Sequence, residues 1–212
     1  MIHEFSFSKG ALVLASQSKT RWKMLTDVGV NFIARPANVD EVGLRCSAVA
    51  SRMPAADIAI MLADMKARKV AHDNGENPSG FVLGADQLLV YNDQIFSKPE
   101  DLTMAGSQLR RLSGKTHQLM TAAVIYQNGE RIWHHLETPK LTMQPLSDEF
   151  IDNYLIAVGE AAFKGPGSYQ IEGLGLHLFS RIEGCFFAVL GLPLVQILPF
   201  LRSHGLALRE QS

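Results

Sequence analysis

A short apolar run that leads into a polar turn constrains the fold of this chain most strongly. Residues Ala11 to Ala15 are all apolar, which predicts a buried strand. The polar residues Ser16 to Lys19 follow, and a short helix is predicted from about Thr20 to Asp27, because Gly29 lies just past its end. A strand that passes through a polar turn into a helix is typical of α/β proteins.

Helices and hairpins alternate through the rest of the chain. Pro54 opens a predicted helix that ends near His72. One face of this helix carries apolar residues at helical spacing: Ile58, Met61, Leu62 and Met65. Asn128-Gly129 lies between two extended runs and predicts a β-hairpin. Because hairpin strands are antiparallel, we predict an α/β fold with a mixed sheet, in a single domain spanning residues 1–212.

The charge balance narrows the range of partners. The chain carries 20 basic and 21 acidic residues, which gives a formal net charge of −1. This balance lacks the positive excess of a surface for nucleic acid or an anionic membrane, so we expect no nucleic-acid and no membrane partner. Any phosphate chemistry must therefore use a few locally placed cations.

The cysteines and the apolar runs indicate a cellular compartment. Cys46 and Cys185 lie far apart, lack zinc spacing and predict reduced thiols in a reducing environment. No stretch approaches the roughly 18 apolar residues of a membrane span, and the first residues lack a signal-peptide pattern. We therefore expect a cytoplasmic protein.

The turn LASQSKTR, Leu14 to Arg21, has the composition of a phosphate site. A helix N-terminus offers unpaired N–H groups and a partial positive charge, and both favour an anion. Ser16 and Ser18 add hydroxyl donors, while Lys19 and Arg21 add positive charge. Taken alone, an ordinary capped helix is the commoner explanation of such a turn. The chain has no P-loop and no GxSxG element, which disfavours a Walker-type or serine-nucleophile hydrolase.

Two groups of acidic residues are candidates for metal binding or water activation. Asp86 follows the predicted strand Phe81 to Leu83 within Gly84-Ala85-Asp86-Gln87, so we place it at the end of that strand. A carboxylate there can hold a divalent cation or activate water, or it can accept hydrogen bonds from turn N–H groups, and the residues alone favour neither interpretation. Asp40-Glu41 supplies a second carboxylate source, which we place on a solvated turn.

Two lysines are candidate phosphate ligands. Lys98 precedes Pro99 just after a predicted strand, and a lysine on a fixed turn can reach a phosphate as a point charge. Lys66 lies one position beyond the predicted buried face of its helix, where it can extend toward a cleft or face solvent. Because Lys98 and Arg21 are placed on turns, we expect the removal of either to cost little packing energy.

Six sequence elements, in the same order, resemble the motifs of the Maf family of nucleotide pyrophosphatases, and together they cover nearly the whole chain. The elements are LASQSKTR (Leu14–Arg21), VDE (Val39–Glu41), GAD (Gly84–Asp86), SKP (Ser97–Pro99), LSGKTH (Leu112–His117) and the C-terminal series YQIEG, RIEG and GLPL (Tyr169–Leu194). Lys19 stands where the family usually has Pro, Thr20 where Arg or Trp is usual, and Ser97 where Gly is usual.

The resemblance implies a fold and an activity. The fold would be a mixed twisted sheet in two lobes around a deep cleft, as in Maf and inosine triphosphatase proteins, often in a homodimer. The activity would be hydrolysis of a nucleoside triphosphate between its α- and β-phosphates, releasing a monophosphate and pyrophosphate. By resemblance, Ser16, Ser18 and Arg21 cradle the triphosphate, and Lys66 and Lys98 neutralise charge that develops on the phosphates.

The resemblance also implies a divalent metal ion, Mg²⁺ or Mn²⁺, as cofactor. Glu41 and Asp86 would hold this ion, and Asp86 would also act as the general base toward a water molecule. Asp86, Lys98, Lys66 and Arg21 therefore form the expected catalytic set.

The residues at two positions are similar to those of the 7-methyl-GTP pyrophosphatase branch of the family. Members that act on dTTP and UTP usually carry Thr after GAD and Gln in the later glycine-rich element, where this chain has Gln87 and Glu172. The Glu172 carboxylate can accept from the guanine N1–H and exocyclic amine, a pair that uracil and thymine lack. Glu172 lies in a glycine-rich segment, Lys164 to Gly175, which can also be a tight connection between a helix and a strand. Thr20 occupies a further position linked to base choice.

Two alternatives remain open from the sequence. The first is a dTTP/UTP pyrophosphatase of the same family. The second is a nucleotide-binding regulator of septum formation with little turnover. All three hypotheses predict nucleotide binding, but only the enzymes predict metal-dependent release of pyrophosphate.

Overall fold

The chain divides into two compact units. A computed structural model describes residues 11–73 and 80–208. The segments are Met1–Asp86, Thr121–Leu136 and Gly191–Ser212 for unit 1, and Gln87–Met120 and Glu137–Leu190 for unit 2. The two limits of the predicted single domain, residues 1 and 212, lie outside the described residues.

Eight strands are found in the described residues. They are β1 Leu12–Leu14, β2 Phe32–Ala34, β3 Phe81–Tyr91, β4 Gln94–Phe96, β5 Thr116–Gln127, β6 Glu130–Glu137, β7 Lys140–Met143 and β8 Phe179–Glu183. The predicted hairpin at Asn128-Gly129 is confirmed, because it joins β5 to β6 and both turn residues have positive φ.

Seven α-helices are found in the same part of the chain. They are α1 Lys19–Asp27, α2 Glu41–Ala50, α3 Ala55–Ala71, α4 Leu102–Leu112, α5 Asp148–Val158, α6 Phe186–Val189 and α7 Leu194–Ser203. This part of the chain also has two 3₁₀ helices. Gly159–Phe163 precedes the glycine-rich segment, and Leu174–Leu178 begins at its end. None of the described helices is long and apolar enough to cross a membrane.

The strands form an open mixed sheet, which confirms the predicted fold class. The strand order is β2-β1-β3-β5-β7-β8, with β4 paired to β3 and β6 paired to β5. In unit 1, β1 is parallel to both neighbours, with Val13 opposite Ile33 on one side and Val82 on the other. In unit 2, β7 is antiparallel to β5 and to β8.

Two local predictions were wrong, and both concern candidate site residues. Asp86 does not end a strand, because β3 continues without a break to Tyr91 and is buried along almost its whole length. Asp40 and Glu41 are exposed, as predicted, but they begin a helix instead of forming a turn. The Asp40 side chain accepts a hydrogen bond from Gly43 N and caps α2, and Glu41 is the first residue of that helix.

The buried face of α3 differs from the predicted one. Met61 and Met65 are only half-buried, whereas Lys66 belongs to the buried face itself. The buried residues are Ile58, Ala59, Leu62, Ala63, Lys66, Ala67 and Val70. Because three of them are alanines, this helix can lie unusually close to a neighbouring element.

Gly84 is the residue at which β3 makes that close approach to α3. A Cβ atom at Gly84 would lie 2.3 Å from the Ala63 carbonyl oxygen and 2.8 Å from the Ala67 Cβ. A side chain of any size is therefore excluded unless the helix moves away from the strand. Two residues further along β3 lies Asp86, so this contact also sets the distance between Asp86 and α3.

Unit 2 has its own apolar core. Leu89 of β3, Leu109 of α4, Leu141 of β7 and Ile151 of α5 belong to one cluster of buried side chains. His117 is also buried in this unit, where its Nε2 lies 2.8 Å from the Tyr169 hydroxyl. Burial lowers the pKa of His117 to about 4, so the imidazole is neutral near pH 7.

We predict that Gly84→Ala destabilises the protein by about 1–3 kcal/mol, because the added methyl group must push α3 away from β3. The free energy of unfolding from urea titration measures this effect. Gly165→Ala is the matched control, since no atom lies within 4 Å of a Cβ built there. Equal stability of the two variants would contradict the close helix–strand contact.

Candidate active site

Lys66 joins two carboxylates in unit 1. Its Nζ atom lies 2.6 Å from Asp86 Oδ1 and 2.9 Å from Glu41 Oε2. The side chains of Lys66 and Asp86 are buried, whereas that of Glu41 is 49% exposed. Three elements supply the cluster, namely α3, β3 and the first turn of α2. The structure thus brings together three of the predicted site residues, far apart in sequence.

The environment of Asp86 alters its acidity. Burial raises the pKa of Asp86, and the neighbouring charges of Lys66 and Arg21 lower it by less. A carboxylate with a raised pKa is a stronger base than an ordinary aspartate. Asp86 therefore has the environment that a general base requires, with a buried cation beside it.

The predicted phosphate turn is held in one conformation by its own side chains. Ser18 caps α1, where its hydroxyl accepts a hydrogen bond from Arg21 N. The Ser16 hydroxyl accepts from Ser18 N at 3.2 Å and from Arg21 Nη1 at 3.3 Å. These bonds use hydroxyl lone pairs, which leaves the O–H of each serine to donate to an anion. The predicted anion-binding turn therefore has suitable geometry.

Trp22 supports the same turn and was not predicted to do so. Its indole Nε1–H donates to the Ser16 carbonyl at 3.0 Å. The sequence offers no signal for this contact, because a tryptophan in the first turn of a helix is equally compatible with a purely apolar role.

Arg21 is buried in α1 and holds two backbone carbonyls. Its Nε donates to Gly191 O at 2.8 Å, and its Nη1 donates to Ala85 O at 2.9 Å. Burial lowers the pKa of Arg21, but an arginine remains charged at neutral pH. The expectation that Arg21 lies on a turn and contributes little to packing is therefore wrong.

The remaining candidate site residues differ in their exposure and in their contacts. Thr20 is partly buried in the first turn of α1 in unit 1. In unit 2, Lys98 is exposed after β4, and Glu172 is exposed on a turn of the glycine-rich segment. Gln87 donates through Nε2 to Ala188 O at 2.8 Å and to Val189 O at 3.1 Å, which fixes the end of α6.

Glu41 and Asp86 satisfy the simplest requirement of a Mg²⁺ or Mn²⁺ site. Among the described residues, no group of three or more His, Cys, Asp or Glu side chains is arranged to hold a metal ion. However, both carboxylates converge on one cation, the Lys66 ammonium. Mg²⁺ commonly takes one or two protein carboxylates and completes its shell with phosphate oxygens and water. The donor set therefore fits a metal ion that binds together with a phosphate ligand.

Comparisons with known proteins identify the relatives of this chain. The family model described as "Maf-like protein" matches residues 11–204. A nucleoside triphosphate pyrophosphatase of Hyphomonas neptunium is 45% identical over 192 residues, which cover 91% of this chain and 95% of the relative. A protein of the same name from Rhodospirillum rubrum is 43% identical over 197 residues, covering 93% of this chain and 96% of the relative.

A third relative carries a more specific name. The 7-methyl-GTP pyrophosphatase of Rhizobium meliloti is 43% identical over 197 residues, which cover 93% of this chain and 98% of the relative. The open mixed α/β sheet is consistent with the matched family. The chain belongs to the Maf-like family. The predicted reaction class, hydrolysis of an acid anhydride, is confirmed by the names of these relatives.

We predict that Arg21→Ala lowers the free energy of unfolding by about 2–3 kcal/mol, because it leaves the Gly191 and Ala85 carbonyls without their donor. Urea titration measures the loss. Lys98→Ala, which truncates an exposed cation, should leave the free energy of unfolding unchanged. If the two variants are equally stable, the hydrogen bonds of Arg21 do not contribute to the free energy of unfolding.

Proposed function

We propose that this protein hydrolyses nucleoside triphosphates between the α- and β-phosphates and releases a monophosphate and pyrophosphate. The observation that carries the proposal is the cluster of Lys66, Asp86 and Glu41 in the same unit as the serine-lined start of α1. An anion-binding turn, a base and local positive charge are what cleavage of a phosphoanhydride requires.

The start of α1 binds the triphosphate. Ser16 and Ser18 donate their hydroxyl protons to phosphate oxygens, and the N-terminal N–H groups of α1 add further donors. Arg21 supplies positive charge next to this turn through the guanidinium that holds Ser16. Its other contacts prevent it from moving, so its charge is pre-organised for the developing negative charge.

Asp86 takes the proton from the attacking water. Lys66 occupies Asp86 Oδ1, so the proton passes to Oδ2. As the water oxygen bonds to phosphorus, the bridging P–O bond breaks and the pyrophosphate leaves with its electron pair. Lys66 stabilises the negative charge that builds up on the phosphates. The family resemblance gives Lys98 the same role, as a further source of positive charge.

Glu41 and Asp86 would hold the divalent cation, Mg²⁺ or Mn²⁺. When bound, such an ion polarises phosphoryl oxygens and neutralises their charge. Glu41 suits this role because its half-exposed carboxylate can turn from Lys66 toward an ion that arrives with the nucleotide.

The preferred base is the finer part of the proposal, and we assign it as 7-methylguanine. Support comes from Gln87 and Glu172 and from the name of the Rhizobium meliloti relative. Glu172 accepts from the two donors of a guanine edge, and Thr20 lies at a further position linked to base choice. We expect the enzyme to act in the cytoplasm, with a homodimer as its assembly.

We predict that Asp86→Asn lowers kcat by about 10²–10⁴-fold, because the amide keeps an acceptor for Lys66 but loses the basicity of the carboxylate. Pyrophosphate release measures turnover. Nucleotide affinity, measured by calorimetry, should change little because the Ser16–Ser18 turn remains.

Asp64→Asn is the matched control for this variant. Asp64 lies on α3 in the same unit but contacts Tyr126 and Arg131 instead of Lys66. Turnover of Asp86→Asn within a few-fold of the parent would remove Asp86 from the mechanism. If the parent itself binds nucleotide without turnover, the regulator hypothesis is favoured instead.

For base choice, we predict that kcat/KM for 7-methyl-GTP exceeds that for UTP and dTTP by about tenfold or more. Because Glu172 is exposed, a mismatched carbonyl there remains partly solvated, so we expect the ratio to stay below the roughly 10⁴-fold of a fully buried polar pocket. Glu172→Gln should reduce the ratio, because its amide can donate to a pyrimidine carbonyl.

Glu160→Gln is the control for base choice, because it makes the same change at another exposed position of unit 2. It should leave the ratio unchanged. A parent enzyme that prefers UTP would refute the 7-methyl-GTP assignment and leave pyrophosphate release intact.

A further inference from the structure

Lys98 lies on a backbone that is held on both sides. The Ser97 carbonyl accepts a hydrogen bond of 2.8 Å from Gln108 Nε2, and the Pro99 side chain is buried. Of these three residues, only Lys98 is exposed. The backbone that carries Lys98 is therefore anchored at Ser97 and at Pro99.

Gln108 holds a second segment with its other amide atom. Its Oε1 accepts a hydrogen bond of 2.8 Å from Gly167 N. Gly167 has a φ of +81°, and a Cβ atom there would lie 2.7 Å from both Leu89 Cδ1 and Tyr169 Cε1, so the backbone at this point is confined. Glu172 follows in the same glycine-rich segment.

The surroundings of Gln108 make it a rigid connection. Gln108 lies within α4 and is only 4% exposed. It belongs to the buried face of this helix, together with Ala105 and Leu109. Both hydrogen-bonding atoms of its amide are engaged with backbone groups, and all of these residues belong to unit 2. A glutamine whose amide oxygen and nitrogen are both hydrogen-bonded costs little free energy to bury, and its amide group cannot easily rotate.

We infer that Gln108 is a positioning residue, which fixes the Lys98 loop and the glycine-rich segment to α4. This inference rests on the proposed function, in which Lys98 acts on the phosphates and Glu172 on the base. Because Gln108 is buried, it acts through Lys98 and not on a substrate directly. Displacement of a charged group by about 1 Å can cost up to about 10²-fold in rate, so a distant amide can carry a large kinetic effect.

A double-mutant cycle tests the inference, with kcat/KM measured from pyrophosphate release. The four proteins are the parent, Gln108→Leu, Lys98→Ala and the double variant. Gln108→Leu should lower kcat/KM by about tenfold or more in the parent, but by less than about twofold in the Lys98→Ala background, because the group it positions is already gone.

Gln108→Met is a second variant in case the leucine variant folds poorly. It keeps the length of the side chain and removes both hydrogen bonds, so it should lose as much activity as Gln108→Leu. Gln144→Leu is the matched control in unit 2, since it also removes a glutamine hydrogen bond to a backbone carbonyl, that of His177. It should keep parental kcat/KM.

Three results would overturn the inference. Equal fold-losses for Gln108→Leu in both backgrounds would show that Gln108 acts independently of Lys98, while the proposed role of Lys98 stands. Full activity of Gln108→Met would show that the hydrogen bonds of Gln108 to Ser97 and Gly167 are irrelevant to turnover. Full activity of Lys98→Ala would instead refute the role of Lys98 in the proposed function, and the role of Gln108 with it.

Discussion

The Lys66 ammonium, held between Asp86 and Glu41, is the interaction on which the site depends. Burial of two charges is costly, and replacement of a buried ion pair by apolar residues is often neutral or stabilising. A pair with a 2.6 Å contact at the junction of α3 and β3 is therefore poorly explained by stability alone. We propose that its role is chemical, because it keeps a carboxylate and a cation fixed where a phosphate and a divalent ion would need them.

The backbone around this pair is built to maintain its geometry. Gly84 allows β3 to contact α3 directly, which brings Asp86 within reach of Lys66. Arg21 then binds the carbonyl of Ala85, the residue before Asp86, and also holds the Ser16 hydroxyl of the phosphate turn. One guanidinium therefore links the predicted phosphate turn to the strand that carries Asp86, so we expect a change at Arg21 to affect binding, catalysis and stability together.

The sequence predicted the parts of this site that local pattern determines. The strand, polar turn and helix from Ala11 to Asp27 were predicted correctly because apolar runs and caps are local signals. Helix α2 was missed because only Ala48 is buried, so its apolar residues mark no buried face. The contacts of Arg21 and Gln108 were not predictable, because their partners are backbone carbonyl and N–H groups distant in sequence, which no residue pattern reveals.

The products of the parent enzyme test the central claim most directly. The protein is incubated with 7-methyl-GTP, and in parallel with GTP and UTP, in the presence of Mg²⁺ or Mn²⁺, and the reaction is followed by phosphorus NMR. Cleavage at the α–β bond predicts pyrophosphate and nucleoside monophosphate in equal amounts, with no product when the metal is chelated. Orthophosphate with nucleoside diphosphate, or no turnover of any nucleotide, would contradict the account.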